Sequence, residues 1–184
     1  VVDAARRLFA ARGYSATTIE AIAQAARVAV PTVYAAFGSK RAVLLALLDR
    51  LEADADVSAL VGALQQAAGD PARQIALFVD FQVRLFARGA DVIGIARRAG
   101  HVDADLNLLW QRGEARRRAG VAPLVRDWHR RRALRAALTA RQALDILWAL
   151  TGADAYHLFV ETCGWSRARY RAWLTETLRA ALLQ

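Results

Sequence analysis

One cysteine, one lysine and no methionine occur among the 184 residues. Cys163 on its own can form neither a disulfide framework nor a cysteine-based metal site, and a reducing cytosol is the natural compartment for such a chain. Apolar residues are plentiful, yet no run of about 18 escapes a charge, so no membrane span is expected. No signal peptide is expected either, because the N-terminus reads as an amphipathic helix carrying Asp3, Arg6 and Arg7. Position 1 is valine rather than methionine, so the chain is expected to begin inside a longer one, with any basic arm lying outside it. Strand-like alternation persists nowhere, which leaves an all-α fold. Catalytic signatures are missing too. There is no glycine-rich phosphate loop, nucleophile elbow or zinc motif. His101, His129 and His157 share no short spacing, and Cys163 lies six residues beyond His157, off a one-turn spacing. Asp103 and Asp105 beside His101 read as a helix N-terminal cluster that complements the dipole. No enzyme, metal or cofactor is expected.

What the chain does have is length for one or two small domains with a proper core, and a formal charge of +9. That charge points toward an acidic partner, nucleic acid or anionic lipid. Arginine carries nearly all of it and is spread over the whole chain, as coding bias alone would produce. The densest run, Arg112 to Arg135, reads as a solvated helix face.

In chain order, residues 1 to 12 form a helix with Val2, Ala5, Leu8 and Phe9 on one stripe, stopped by Gly13. Thr17 fits a capping box with Glu20, and Thr18 is the alternative cap. Two short helical patterns follow, Ile19 to Ala26 with Ile22 and Ala23 inward, and about Pro31 to Phe37 with Val33 and Phe37 inward. Isolated helices below about 12–15 residues are marginal in water, so these two must pack on each other and on their neighbours. A short helix, a tight turn and a second short helix with a polar face make a helix-turn-helix, whose second helix can enter a DNA major groove. Ser39 then caps a helix from Lys40 to about Ala68, long enough to leave a first domain and enter a second. Asp70-Pro71 starts a further helix, Gly89 and Gly94 flank a short segment closed by Gly100, and a long helix over 103 to about 135 is expected to kink near Pro123. A helix from Thr139 to Cys163 is apolar on nearly every side and therefore buried, in a core or at a subunit interface. Ser166 caps the last helix.

Phe9, Gly13-Tyr14, Thr17-Thr18, Ile22-Ala23, Ala26, Val28, Thr32, Tyr34, Phe37 and Ser39-Lys40 stand at fixed spacings between Ala4 and Leu45. This run closely resembles the N-terminal domain of the TetR family of bacterial transcriptional regulators. The turn Gly164-Trp165-Ser166 before Tyr170, Trp173-Leu174 and Leu178 resembles, more weakly, the end of such proteins. Between about 50 and 140 only the helical layout is similar. The resemblance implies a homodimer that binds a palindromic operator on double-stranded DNA, usually as a repressor, and lets go when a small molecule enters the second domain. It implies that Thr17 or Thr18, Tyr34 and Lys40 touch phosphates while Val30, Pro31, Thr32 and Ala35 face base edges. Hydroxyls and a lysine at helix starts suit phosphates, which set register, and groove-facing side chains specify sequence. Two positions depart from the family pattern. Arg27 replaces the usual glycine and could reach a phosphate; Ala29 replaces a capping serine, a loss of about 0.5–2 kcal/mol. Thr32 and Tyr34 are the only hydrogen-bonding side chains of the second helix, so thymine methyls and DNA shape would carry much of the specificity.

The domains are expected at 1–48, a helix-turn-helix unit, and 49–184, a helical ligand-binding and dimerisation unit. Aromatics recur on the helices of the second, and an apolar pocket with a few polar groups is the default small-molecule site between bundled helices. Phe78, Phe81, Gln82, Phe86, His101, Trp110 and Trp128 are its candidate lining. Excess apolar surface on the last two helices suits a two-fold four-helix bundle, with Leu147, Leu150, Leu158, Trp173 and Leu178 as candidate interface residues. The rival reading is a helical lipid or small-molecule carrier with non-specific DNA or anionic-surface binding, but a carrier has no use for a helix-turn-helix.

Overall fold

The computed structural model describes residues 1–184 and is built from α-helices throughout, with one π-helical turn. The only extended contact is an isolated bridge between Leu134 and Leu183. No helix is long and apolar enough to cross a membrane. Contacts divide the chain into two compact units, Val1–Asp54 with Gly89–Arg112, and Ala55–Arg88 with Gly113–Gln184.

In the first unit, α1 (Val2–Arg12), α2 (Ile19–Ala26), α3 (Val30–Phe37) and α4 (Lys40–Ala53) pack with the second part of α6 (Pro71–Gly100) and the start of α7 (Ala104–Arg130). Ala5, Phe9, Ile22, Val33, Val43 and Leu44 are fully enclosed there, joined by Val92, Ile95, Ala99 and Leu106. Helices as short as α2 and α3 persist because this shared core holds them. Gly89 is not a helix break. It lies within continuous α6, where a Cβ would stand 2.3 Å from Leu51 Cδ2, so glycine is what admits the close approach of α4.

The second unit holds α5 (Val57–Gln66), the first part of α6, the rest of α7, α8 (Ala140–Leu150), α9 (Ala153–Tyr156), the π turn His157–Thr162 and α10 (Arg167–Leu182). Its core is richer in rings: Phe78, Phe81, Phe86, Trp128, Tyr156 and Tyr170 are all buried. Two buried amides serve it. Gln74 accepts from Trp128 Nε1 at 2.7 Å and donates to Leu64 O at 3.0 Å, and Gln82 donates to Thr151 O at 2.9 Å.

Two helical expectations are corrected here. The helix expected from Lys40 to about Ala68 is two, α4 and α5. Asp56, in the left-handed region at φ 46, caps α5 by accepting from Ala59 N at 3.1 Å. A short carboxylate that bonds nearby backbone competes with helix continuation, and here it prevails. The long helix expected over 103 to about 135 is α7, which stays helical through Gly113, Gly120 and Pro123, with Val121, Val125 and Trp128 buried along it. The helix expected from Thr139 to Cys163 is cut after α8. Thr151 Oγ1 donates back to Leu147 O at 2.6 Å, Gly152 is extended, and the chain resumes as α9 and a π turn closed by Cys163 N to Leu158 O at 2.9 Å.

Candidate nucleic-acid interface

Between α1 and α2 the chain turns through Gly13, φ 80, and the turn is tied from inside. Thr17 is fully buried and its Oγ1 donates to Gly13 O at 2.8 Å. Thr18, not Thr17, caps α2, accepting from Ala21 N at 3.2 Å. Its hydroxyl also hydrogen-bonds the Glu20 carboxylate, which lowers that carboxyl after the larger effect of the Glu20 backbone N–H. From α4, Lys40 Nζ donates to Tyr14 O at 2.8 Å, Thr17 O at 2.9 Å and Ser15 O at 3.4 Å, and stands 4.3 Å from the Tyr14 ring centre. Burial pulls the Lys40 ammonium below its usual range, while the Asp103 charge works the other way.

Arg27 ends α2 at φ 56, ψ 43, the left-handed conformation in which a Cβ is strained. Ala29 gives α3 no side-chain cap, but Pro31 in its first turn removes one N–H that would otherwise need a partner. Val33 is fully buried and Phe37 half-buried, leaving Pro31, Thr32, Tyr34, Ala35 and Ala36 exposed on the other side. With Thr18 and exposed Arg27 this gives a surface of two hydroxyls, one phenol and one guanidinium around small apolar groups. It can donate to phosphate oxygens and press methyls against bases.

Three of the residues expected to meet DNA do other work. Thr17 is enclosed. Lys40 has its donors turned into the protein. Val30 is half-buried and packs on the first unit's core. Ion pairs with no signal in residue spacing also link helices within the unit. Arg41 grips Asp103 at 3.1 Å and Asp105 at 2.6 Å, Arg6 makes a two-pronged contact with Asp91 at 2.7 Å, and Arg50 reaches Asp3 at 2.9 Å. Asp103 also caps α7 by accepting from Asp105 N and Leu106 N, both at 3.1 Å. Burial pushes its carboxyl up, and these bonds with Arg41 bring it below the ordinary range. The Arg6 side-chain hydrogen bond lowers Asp91 likewise.

The pocket candidates do not form one lining. Phe78, Phe81, Gln82, Phe86 and Trp128 are buried in the second unit, whereas His101 and Trp110 belong to the first, His101 exposed and Trp110 half-buried. Phe78 to Phe86 lie on α6, Trp110 and Trp128 on α7, and His101 in the turn between them, and residue spacing along a helix cannot say where its neighbours change. Two residues outside that set are the more informative. Tyr156 and Tyr170 are enclosed, their rings 5.6 Å apart with Phe86 5.3 Å from Tyr156, and neither hydroxyl has a partner. Burial, with the Tyr156 charge second, pushes Tyr170 up to about 12. A tyrosine on an otherwise apolar helical stripe was the signal in the sequence. Elsewhere in this unit an open cleft of ≈ 290 Å³ is lined by Arg118, Arg126 and Arg141 over Ala122, Val125 and Leu144.

Of the interface candidates, Leu147 and Leu178 are fully buried within the chain itself and cannot meet a partner. Their helices, α8 and α10, pack on one another. Leu150 and Trp173 are half-buried, and Leu158 on the π turn is 57% exposed. Trp173 sits in a ring cluster, 4.3 Å from Phe159 and 5.7 Å from Trp165, with Arg169 stacked 4.0 Å from Trp165.

Residues 1–47 match the family of bacterial regulatory proteins described as tetR. No curated protein sequence matches the chain. Solved structures that share its fold include a protein from Saccharomonospora viridis, assigned as a transcriptional regulator and in complex with choline, 21% identical with a TM-score of 0.78 over 100% of this chain and 95% of that one. The transcriptional regulator FadR from Bacillus subtilis, in complex with stearoyl-CoA, is 15% identical with a TM-score of 0.76, covering 96% and 95%. A regulator from Rhodococcus sp. assigned to the TetR family is 14% identical with a TM-score of 0.71, covering 98% and 95%.

Proposed function

We propose that this chain, whose residues 1–47 match the tetR family of bacterial regulatory proteins, is a repressor that binds a palindromic operator as a homodimer and is released by a small effector. The observation that carries this reading is the exposed side of α3, Pro31, Thr32, Tyr34 and Ala35, held on a core of Ile22, Val33 and Val43. A short helix with its inner side pinned and its outer side free is shaped for a major groove. Two such helices must stand about 34–36 Å apart to meet successive turns of one duplex, hence the dimer. Exposed Leu158 with half-buried Leu150 and Trp173 supports an interface on the C-terminal helices. Selection from random-sequence duplexes tests the reading. Recovery of inverted half-sites supports it, and no enrichment over the starting pool rejects it. Leu158→Glu should shift the species in sedimentation from dimer to monomer and weaken binding to the selected duplex; an unchanged dimer removes this interface.

For the effector, the buried hydroxyls of Tyr156 and Tyr170 support an apolar molecule that carries a hydrogen-bond acceptor. A buried hydroxyl without a partner costs about 1–3 kcal/mol, which a carbonyl or ether oxygen can offset. A thermal-shift comparison of 2-undecanone with undecane should favour the ketone, and Tyr156→Phe with Tyr170→Phe should erase the difference. Equal shifts in the unaltered protein would reject an acceptor-bearing ligand.

A further inference from the structure

Among 26 cationic side chains, arginine occurs everywhere except at position 40. Lys40 is the first residue of α4, after the Ser39 cap, and no acid accompanies it in that turn. A cation there is opposed by the helix dipole. Something else must account for lysine at this one place.

The Tyr14, Ser15 and Thr17 carbonyls converge on its ammonium at 2.8, 3.4 and 2.9 Å. All belong to the turn that ends at the Thr18 cap of α2. Three acceptors around one point match an ammonium, a compact charge with three rotatable donors. They do not match a guanidinium, whose donors lie in a plane and suit flat, bidentate partners; the chain uses Arg41 and Arg6 for those. The same turn is closed from within by Thr17 Oγ1 to Gly13 O. Without Lys40, the part-buried Tyr14 and Thr17 carbonyls lose its ammonium as a donor and the start of α2 loses its anchor on α4.

We propose that Lys40 is a positioning residue for DNA binding rather than a phosphate ligand: it ties the 14–17 turn to α4 and so fixes the angle at which α2 and α3 are presented. Its consequence for DNA rests on the reading above; its effect on the free protein does not.

The test compares Lys40→Arg and Lys40→Met with the unaltered chain, in two measurements. The first is amide hydrogen exchange of the free protein. Positioning predicts faster exchange over residues 14–27 in both variants, with the second unit unchanged. The second is binding to the tightest duplex selected by the unaltered chain from a random-sequence pool, titrated with salt. Positioning predicts a loss of about tenfold or more in both variants, from the stranded carbonyls, with the slope of log K against log salt unchanged. A phosphate contact predicts the reverse: full affinity in Lys40→Arg, a slope smaller by about 0.9 in Lys40→Met, and no change in exchange. That pattern overturns the proposal. If Lys40→Met does not fold, Lys40→Arg alone still separates the two. If no duplex is recovered, the regulator reading fails and the exchange arm still decides what Lys40 does.

Discussion

The two units differ in how they treat buried polarity. In the first, each inward polar group has a partner: Thr17 bonds Gly13 O, Lys40 bonds three carbonyls, and the core between them is aliphatic apart from Phe9. In the second, Trp148 Nε1 and the hydroxyls of Tyr156 and Tyr170 are buried with none, in a core dense with rings. A fully paired polar framework has one low-energy arrangement, which suits a surface that must keep register on a duplex. A core with open donors is held together by apolar packing and is completed by whatever supplies acceptors.

The comparison breaks most readily in the first unit. Ile22→Ala, at a fully enclosed site, should lower unfolding free energy by about 2–5 kcal/mol in a urea titration and abolish selective DNA binding. A loss under about 1 kcal/mol would mean that α2 is not held by its core. In the second unit the sign turns. Tyr156→Phe removes a buried hydroxyl without a partner and should stabilise the protein by up to about 1–3 kcal/mol; destabilisation by that amount would show that the hydroxyl is bonded after all.

Two pH effects sharpen the contrast. Tyr170 is pushed up to about 12 from its ordinary 10.0 by burial. Its neutral form is the one the folded state favours, so this contribution is complete below the unfolded value and is lost as pH rises from about 10 through 12. Tyr170→Phe should flatten that alkaline fall in stability, and absorbance titration should show the Tyr170 phenolate appearing last. Smallest is the acid limb. Asp91 is lowered by its bond with Arg6, so the pair stabilises above the unfolded carboxylate range and fades as pH falls through the folded value. Both side chains are two-fifths exposed, so Asp91→Asn should cost only about 0.2–1 kcal/mol near neutral pH and nothing detectable in strong acid.

Much of the first unit was legible in the residue string. Ile19 to Ala26, Gly13 and the Ser39 cap are local signals, and local hydrogen bonding realised them as read. The DNA-facing side chains were half legible. Periodicity marked Val33 as inward and the family resemblance marked Tyr34 as outward, but neither could tell that Thr17 would turn in on Gly13 O or that Lys40 would be spent on three carbonyls. Both depend on partners reached only through folding, and Lys40 meets Tyr14 across 26 positions of chain. In the second unit the aromatic character was plain, but which rings gather was not, since α6 and α7 each serve both units along one unbroken stripe.

The sequence by itself determined an all-helical chain, its short paired helices and their caps, because turns, caps and apolar spacing act within a few residues. Only the tertiary structure decided which hydroxyls, amines and leucines remain outside. Leu147 and Leu158 look alike on a helical wheel, yet one is fully buried on α8 and the other stands open on a π turn. Exposure belongs to the packed pair of helices, and no single helix carries it.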